Sequence, residues 1–408
     1  MRSTFNTSKE TYFSICCINI FRMRIFHFGT VDSRAGGPAM STTQTLNGLT
    51  ELGVKVELMA FPLEEGHEAV QTNFTCTILP KAPHFPRFAY YHGLSKQIDT
   101  LGIFDVYHAQ GVWQYPTYCV ASTARRHKKP YVITPRGMLY PQDIHKSNYL
   151  FKYLSLKLRL LDDLNKAACV HVTCHDELKY CRELGVLSPI AVIPNPIKMK
   201  HYDLPNFKSK RRIVYLGRLS PRKNVESLIY AFSESSKWSV DAELYIIGGG
   251  DKSYEQFLQS ETERLGLTNV VFAGFLTGER KDEVLQQSHV LVMPSEFENF
   301  GNVILEGLIR GIPCIATKGS PWEDLSILEC GWWIDYNQEA ISAAVKEAVH
   351  CSDERLLEMG KRAQKLVSGK YTTEQVALKM RELYQWLITG GKVPDFVECY
   401  EGKSNEGK

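Results

Sequence analysis

Short apolar runs of strand length alternate with longer stretches of helical periodicity through almost the whole chain. That is the pattern of an α/β protein whose parallel strands are buried on both faces. In the first half the predicted strands are 24–28, 55–61, 103–108, 131–134, 168–174 and 190–194. The loop Ala35-Gly36-Gly37-Pro38 follows the first strand and leads into a helix ending near Leu52. Asn195-Pro196 and a polar stretch to residue 210 break the pattern and read as a linker. The cycle then restarts, with strands predicted at 212–216, 243–247, 270–273, 290–293 and 314–316. Residues 373–387 form a last amphipathic helix, with Val376, Leu378, Met380, Leu383, Tyr384 and Leu387 on its apolar side.

The expected organisation is therefore two Rossmann-like domains, 23–200 and 201–371, followed by a helix over 372–391 that packs back on the first domain. A flexible Gly-, Lys- and Glu-rich tail is expected over 392–408. Met23 opens Met-Arg-Ile-Phe-His-Phe-Gly-Thr, the natural start of a first strand, so residues 1–22 read as an over-extended start or a loose leader. Ligands of open parallel sheets bind beyond the carboxyl ends of strands. Two such domains face to face would share an interdomain cleft, and the chemistry is sought in loops that follow strands.

Composition narrows this picture only slightly. A length of 408 residues exceeds what one core usually serves. The 44% hydrophobic and 23% charged fractions are those of an ordinary globular chain. No apolar run approaches the roughly 18 residues that span a bilayer. The net charge of +3 conceals an excess of eight positive charges in residues 1–200 and of five negative charges after them. The basic half suits an anionic membrane surface or an acidic substrate; no nucleic-acid partner is expected. The eleven cysteines are scattered, several within strands, which fits a reducing cytoplasm. The cluster Cys169, His171, Cys174 and His175 could suggest zinc, but 168–174 reads as an alternating strand whose neighbours point to opposite faces, which argues against a metal site there.

The strongest chemical signal follows the strand ending at Met293: Pro294-Ser-Glu-Phe-Glu298-Asn-Phe-Gly301-Asn-Val-Ile-Leu-Glu306. Phe300, Gly301 and Asn302 lie where a helix begins, and their backbone N–H groups can hold hydroxyl or phosphate oxygens. Carboxylates at Glu298 and Glu306 can each accept from a diol. Either glutamate alone is more simply a solvated helix residue; the whole string is not. The second signal is Val214-Tyr-Leu-Gly217-Arg218-Leu-Ser-Pro-Arg222-Lys223-Asn224, a strand running into a helix. Two fixed cations there, Arg218 and Lys223, would stabilise negative charge growing on a departing phosphate. Gly217, Gly249 and Gly274 with Leu276 lie in strand-to-helix loops that allow close backbone approach, as does 319–323.

These strings resemble the motifs of the family-four (group 1) retaining glycosyltransferases of the GT-B fold, and the similarity runs from about Met23 to Gln385. The resemblance implies that Glu298 binds the transferred sugar, Glu306 the nucleotide ribose, and Arg218 and Lys223 the diphosphate. It implies that Gly36 and Gly37 bring a flexible backbone against the donor phosphate. The co-substrate would be a nucleotide-diphosphate sugar, with no cofactor. No Asp-x-Asp motif occurs, so no metal is indicated. Many relatives place a histidine near the reacting sugar where this chain has Arg136, in Thr134-Pro-Arg-Gly-Met138; Arg136 is expected to grip a phosphate of donor or acceptor. His108 and Trp113, in another loop of the first domain, are candidates for the acceptor side, with a core histidine as the competing reading of His108.

The Pro-Arg-Gly-Met loop and Gly331-Trp332-Trp333 resemble bacterial surface-polysaccharide enzymes of the lipopolysaccharide and capsule type, implying a lipid-linked saccharide acceptor, with a soluble one as the alternative. The enzyme would then work in the cytoplasm, at the inner face of the plasma membrane. A nucleotide-sugar epimerase of the same fold, a phosphorylase and a non-catalytic nucleotide-sugar scaffold are the rivals. One further helix, 147–166, mixes Leu150, Phe151, Leu154, Leu158 and Leu161 with Lys152, Lys157 and Arg159. It is expected to pack on the first domain's sheet, with an anionic membrane as the second reading.

Overall fold

The computed structural model describes residues 23–81, 85, 88–146, 148–207, 210–237 and 240–400. The leader expected at 1–22 and the end of the tail, 401–408, lie outside the described residues. The strands are β1 (Arg24–Gly29), β2 (Lys55–Ala60), β3 (Thr75–Ile78), β4 (Val106–Gln110), β5 (Tyr131–Thr134), β6 (Cys169–Val172) and β7 (Ile190–Val192). They continue with β8 (Arg211–Leu216), β9 (Ala242–Ile247), β10 (Val270–Gly274), β11 (Val290–Met293), β12 (Cys314–Thr317), β13 (Gly331–Ile334) and β14 (Val397–Glu398).

The chain divides into two compact units, one ending at Pro196 but regaining the chain from Thr373 onward, the other spanning Ile197–Thr372. In the first the strand order is β14-β7-β6-β5-β4-β1-β2-β3, parallel throughout except for β14. In the second it is β10-β9-β8-β11-β12-β13, all parallel. Each order reverses once, between β1 and β4 and between β8 and β11. Those reversals are the topological switch points of doubly wound sheets, where the loops of two neighbouring strands diverge and leave room for a ligand.

Continuous apolar runs made these strands legible, because a strand covered on both faces buries every side chain: all four residues of β5 and of β11 are buried. The edge strand β3 is mostly exposed and too polar to stand out, and β13 is only half-buried. The predicted strand 168–174 stops at Val172, because Cys174 is already the N-cap of the helix His175–Glu183. Side-chain caps start several helices, among them Asp251 accepting from the amides of Ser253 at 2.9 Å and Tyr254 at 3.3 Å.

The helix Thr373–Thr389 lies in the first unit against the helix Gly37–Glu51. The two approach so closely at Gly48 that a Cβ there would stand 2.8 Å from that of Ala377. Val376, Met380, Leu383 and Tyr384 are buried in the same cluster as Leu46 and Leu49. The tail expected to be flexible from Lys392 is in part structured. Val397 and Glu398 add an antiparallel edge strand to β7, and Glu398 is anchored by Arg182 at 3.0 Å. Edge backbone on β7 is an open hydrogen-bonding template, which overrides the polar composition of this segment.

The helix over 147–166 also departs from its expected fate. It comprises Tyr149–Ser155, a π-helical turn at Leu156–Leu160 and Leu161–Asn165. Of its apolar residues only Leu156, Leu160 and Leu164 are buried, while Leu150, Phe151, Leu154 and Leu158 face outward. The buried positions Leu156, Leu160 and Leu164 begin only at the wide π-turn, so Leu150 and Leu154 before it and Leu158 within it are left uncovered.

Candidate functional site

In the second unit the loops after β8 and β11 lie side by side at the switch point, stitched by backbone and side chain. The Glu296 amide donates to the Arg222 carbonyl at 2.9 Å, and Arg222 donates to the Phe297 carbonyl at 3.2 Å with its guanidinium 4.7 Å from the Phe297 ring centre. Lys223 and Glu298 thereby meet in a direct ion pair, their side chains 16% and 10% exposed. Arg218 stands exposed on the same loop, its carbonyl held by the Tyr215 hydroxyl at 2.8 Å.

Glycines make this density possible. A Cβ on Gly248, in the loop after β9, would stand 1.8 Å from the Gly217 carbonyl oxygen, and one on Gly250 would stand 2.2 Å from that of Leu219. Gly217 and Gly248 both have positive φ, at 153° and 144°. The neighbouring amides of Gly217 and Leu219 are spent on Ile247 and Gly249, which ties the first two loops into one rigid floor. Gly249 itself lies on this floor, and Gly274, with φ of 66°, accepts from the Gly248 amide at 2.8 Å. Leu276, two residues on, packs against the core of this unit.

The helix Asn302–Ile309 begins at Gly301, whose φ of 78° and lack of a Cβ let it pass Met293 and Trp322. Phe300 is buried edge-on against Trp322, whose indole N–H donates to its carbonyl at 2.5 Å. Glu298 is held from the other side, its amide donating to the Gly319 carbonyl at 2.7 Å. Glu306, about one turn into the helix, pairs with Lys281 at 2.6 Å. Sequence reasoning missed Lys281; it sits in a run of charged residues on the helix Gly278–Gln286 that reads as a solvated face.

In the first unit, Gly36 has φ 76° and ψ −138°, a conformation reserved for glycine, and no atom lies within 4 Å of where its Cβ would be. Gly37 opens the following helix. This loop is organised by Asp32, also missed: its buried carboxylate accepts from the amides of Arg34 at 2.9 Å and Glu64 at 3.1 Å and from His67 at 2.8 Å. Burial pushes the Asp32 carboxyl up, but these donors outweigh it and hold the group below its usual range.

The acceptor-side candidates of this unit need correction. His108 is fully buried and belongs to a hydrogen-bonded chain that crosses the sheet. His27 Nε2 lies 2.8 Å from the Tyr384 hydroxyl, which lies 2.7 Å from His108 Nδ1. His108 Nε2 lies 2.6 Å from the Thr134 hydroxyl, which lies 2.9 Å from His171 Nδ1, and His171 Nε2 ends the chain on the Ile193 carbonyl at 2.9 Å. A carbonyl can only accept, so His171 carries its proton on Nε2. That assignment propagates back: Thr134 donates to His171, His108 to Thr134, Tyr384 to His108 and His27 to Tyr384. His108 is thus a core histidine.

Arg136 is not a free phosphate grip either. Its guanidinium donates to Gln110 at 2.8 Å, Ser41 at 3.1 Å, Asn195 at 2.8 Å and Thr42 at 2.8 Å. Burial lowers it to about 10 against the pull of Glu177. Glu177, buried and pushed upward by that burial, accepts from the Gly137 amide at 2.5 Å and the Thr173 amide at 3.0 Å. The Pro-Arg-Gly-Met loop is therefore a braced structural turn, with Arg136 and Gly137 both at positive φ. Trp113 is half-buried, its indole N–H donating to the Met138 carbonyl at 3.2 Å.

Comparison with known proteins gives this architecture its class. Residues 198–366 match the family described as glycosyl transferases group 1, and residues 36–196 match the glycosyl transferase 4-like domain. These two glycosyltransferase domain matches together span most of the chain, which has the GT-B fold. Among curated proteins it is similar to an uncharacterized glycosyltransferase of Methanocaldococcus jannaschii, at 26% identity over 86% of this chain and 94% of that protein. It is similar as well to an alpha-1,3/1,6-mannosyltransferase of Neurospora crassa, at 25% identity over 44% of each chain. Among solved structures it resembles the sucrose-phosphate synthase of Thermosynechococcus elongatus, with a TM-score of 0.74 at 19% identity, covering 91% of this chain and 100% of that one. Anabaena HepE in complex with UDP and glucose superposes with a TM-score of 0.68 at 15% identity, covering 89% and 100%.

Proposed function

We propose that this enzyme transfers a hexosyl group from a nucleotide-diphosphate sugar to a lipid-linked saccharide, with retention of anomeric configuration and without a metal. The observation that carries the reading is the Lys223–Glu298 contact at the β8/β11 switch point, which supports a phosphate-binding role for Lys223 beside a sugar-binding role for Glu298. In this reading Arg218 and Lys223 take the diphosphate, the amides of Phe300, Gly301 and Asn302 add donors at a helix start, Glu298 takes sugar hydroxyls and Glu306 the ribose diol. The acceptor oxygen bonds to the anomeric carbon as the bond to the phosphate oxygen breaks, and the acceptor's proton passes to that departing oxygen. Arg218 and Lys223 stabilise the charge that develops there.

HepE is described with UDP, which makes a uridine donor the first to test. A surface-polysaccharide acceptor is supported by the likeness to WaaG, described as involved in lipopolysaccharide biosynthesis.

Thermal stabilisation against a panel of nucleoside diphosphates, followed by transfer assays with the matching sugars, tests the reading. Selective stabilisation by one diphosphate, lost in Arg218→Ala and Glu306→Ala, is expected, and Arg218→Ala should lower kcat by about 10²–10³-fold. An isomerised free nucleotide sugar would instead mark an epimerase, and no stabilisation by any diphosphate would mark a scaffold.

A further inference from the structure

The helix at Tyr149–Ser155 and the π-helical turn after it carry a feature that glycosyl transfer does not use. Leu150, Leu154 and Leu158 recur every four residues and form one outward row, with Leu150 76% and Leu158 73% exposed. Phe151 lies beside them at 58%. Scattered exposed leucines are normal on a folded surface, but a contiguous row is the mark of an interaction site.

The polar residues of the same stretch say which partner fits. From Ile144 to Leu161 there is no aspartate or glutamate, while Lys152, Lys157 and Arg159 carry positive charge; Lys152 donates to the Asp143 carbonyl and Arg159 shares Asp163 with Arg125, which leaves Lys157 exposed with its charge unpaired among the described residues. Tyr149 and Tyr153 are about half-exposed on this helix, with the His145 ring stacked on Tyr149 at 4.8 Å. Tyrosines with an apolar body and a polar tip are the residues that settle at headgroup depth. A second copy of the chain fits badly, because a two-fold contact would set the same excess of positive charge, Lys152 and Lys157 foremost, against itself. No described helix is long and apolar enough to cross a bilayer, so the face would lie on a membrane and not span it.

We infer that this face docks on an anionic phospholipid surface, the leucine row entering the acyl boundary and the lysines meeting lipid phosphates. The inference does not rest on the glycosyl-transfer reading, since it uses none of that site's residues.

The test is co-sedimentation of the full chain with vesicles of phosphatidylcholine alone and of phosphatidylcholine mixed with phosphatidylglycerol. Binding is expected only to the anionic vesicles, falling as salt rises. The triple variant Leu150→Asp, Leu154→Asp, Leu158→Asp should abolish it, and Lys157→Ala should weaken it about fivefold. Circular dichroism and thermal stabilisation by nucleoside diphosphate should be unchanged in both variants, which separates lost docking from lost folding. No binding to anionic vesicles overturns the inference, as does equal binding to both vesicle types. So does sedimentation of the wild type as a dimer that the triple variant dissociates, which would make a second copy the occupant.

Discussion

Lys223 and Glu298 neutralise one another across the β8/β11 switch point, although they stand 75 positions apart in the chain. In the reading that gives Lys223 the diphosphate and Glu298 the sugar, the pair competes with both ligands. Glu298→Gln should therefore do two opposite things. Freed of its carboxylate, Lys223 meets phosphate more strongly, and nucleoside diphosphate should bind several-fold tighter, up to about tenfold for ~1.4 kcal/mol. The transfer rate should fall by about 10²-fold or more, as a sugar contact is lost. The ligand-free variant should also melt earlier, because a largely buried ammonium loses its partner. Calorimetric titration beside a transfer assay decides it; unchanged diphosphate affinity would remove Lys223 from the phosphate site.

Glu306 faces a similar competition with Lys281. If its carboxylate takes the ribose diol, the wild type should prefer a ribonucleoside diphosphate over its 2′,3′-dideoxy analogue by about tenfold, as expected of hydrogen bonds to a charged group. Glu306→Ala should bind both alike. Equal affinities in the wild type would assign Glu306 a structural role with Lys281.

The histidine chain makes stability depend on pH. Burial lowers His27 and His171 to about 3 and pushes His108 in the same direction, so all three stay neutral in the fold at acidities that protonate the unfolded chain. Their contribution is complete above the unfolded value of about 6.5 and is lost as pH falls toward the folded value, by up to about 1.4 kcal/mol per pH unit for each histidine. Melting temperature should drop steeply from pH 6.5 to 4, beyond what the carboxylates alone impose. Tyr384→Phe, which strips a partner from both His27 and His108, should cost about 1–3 kcal/mol at neutral pH. A flat melting profile through pH 5, measured by denaturant titration or calorimetry, would contradict this.

Gly248 has no tolerance for a side chain. A methyl 1.8 Å from the Gly217 carbonyl oxygen must push apart the loops after β8 and β9. Gly248→Ala should destabilise by about 3 kcal/mol or more and lower diphosphate affinity with it. Gly266→Ala, at an open turn with nothing within 4 Å, is the control and should lose far less.

Much of the second unit was readable from the chain because its signals are local. Strand, glycine turn and helix start follow each other within a few residues, as in Val214–Asn224 and Pro294–Glu306. The first unit was harder. His108 and Arg136 sit in strand-end loops like the others, and their polarity looked like chemistry. Each is instead consumed by partners remote in sequence: Tyr384 for His108, and Ser41, Thr42 and Asn195 for Arg136.

By itself the sequence determined the alternation of buried strands and amphipathic helices, and with it two doubly wound sheets, because burial on both faces demands continuous apolar runs. It also determined where glycine allows backbones to close on each other. Only the tertiary structure decided which polar residues were already satisfied, since a hydrogen-bond partner can come from anywhere in the chain. It alone set Lys281 against Glu306, braced the Gly36 loop on Asp32, and placed Val397 and Glu398 on a sheet edge. It alone turned Leu150, Leu154 and Leu158 outward, because the core covers this helix only from the π-turn onward, at Leu156, Leu160 and Leu164.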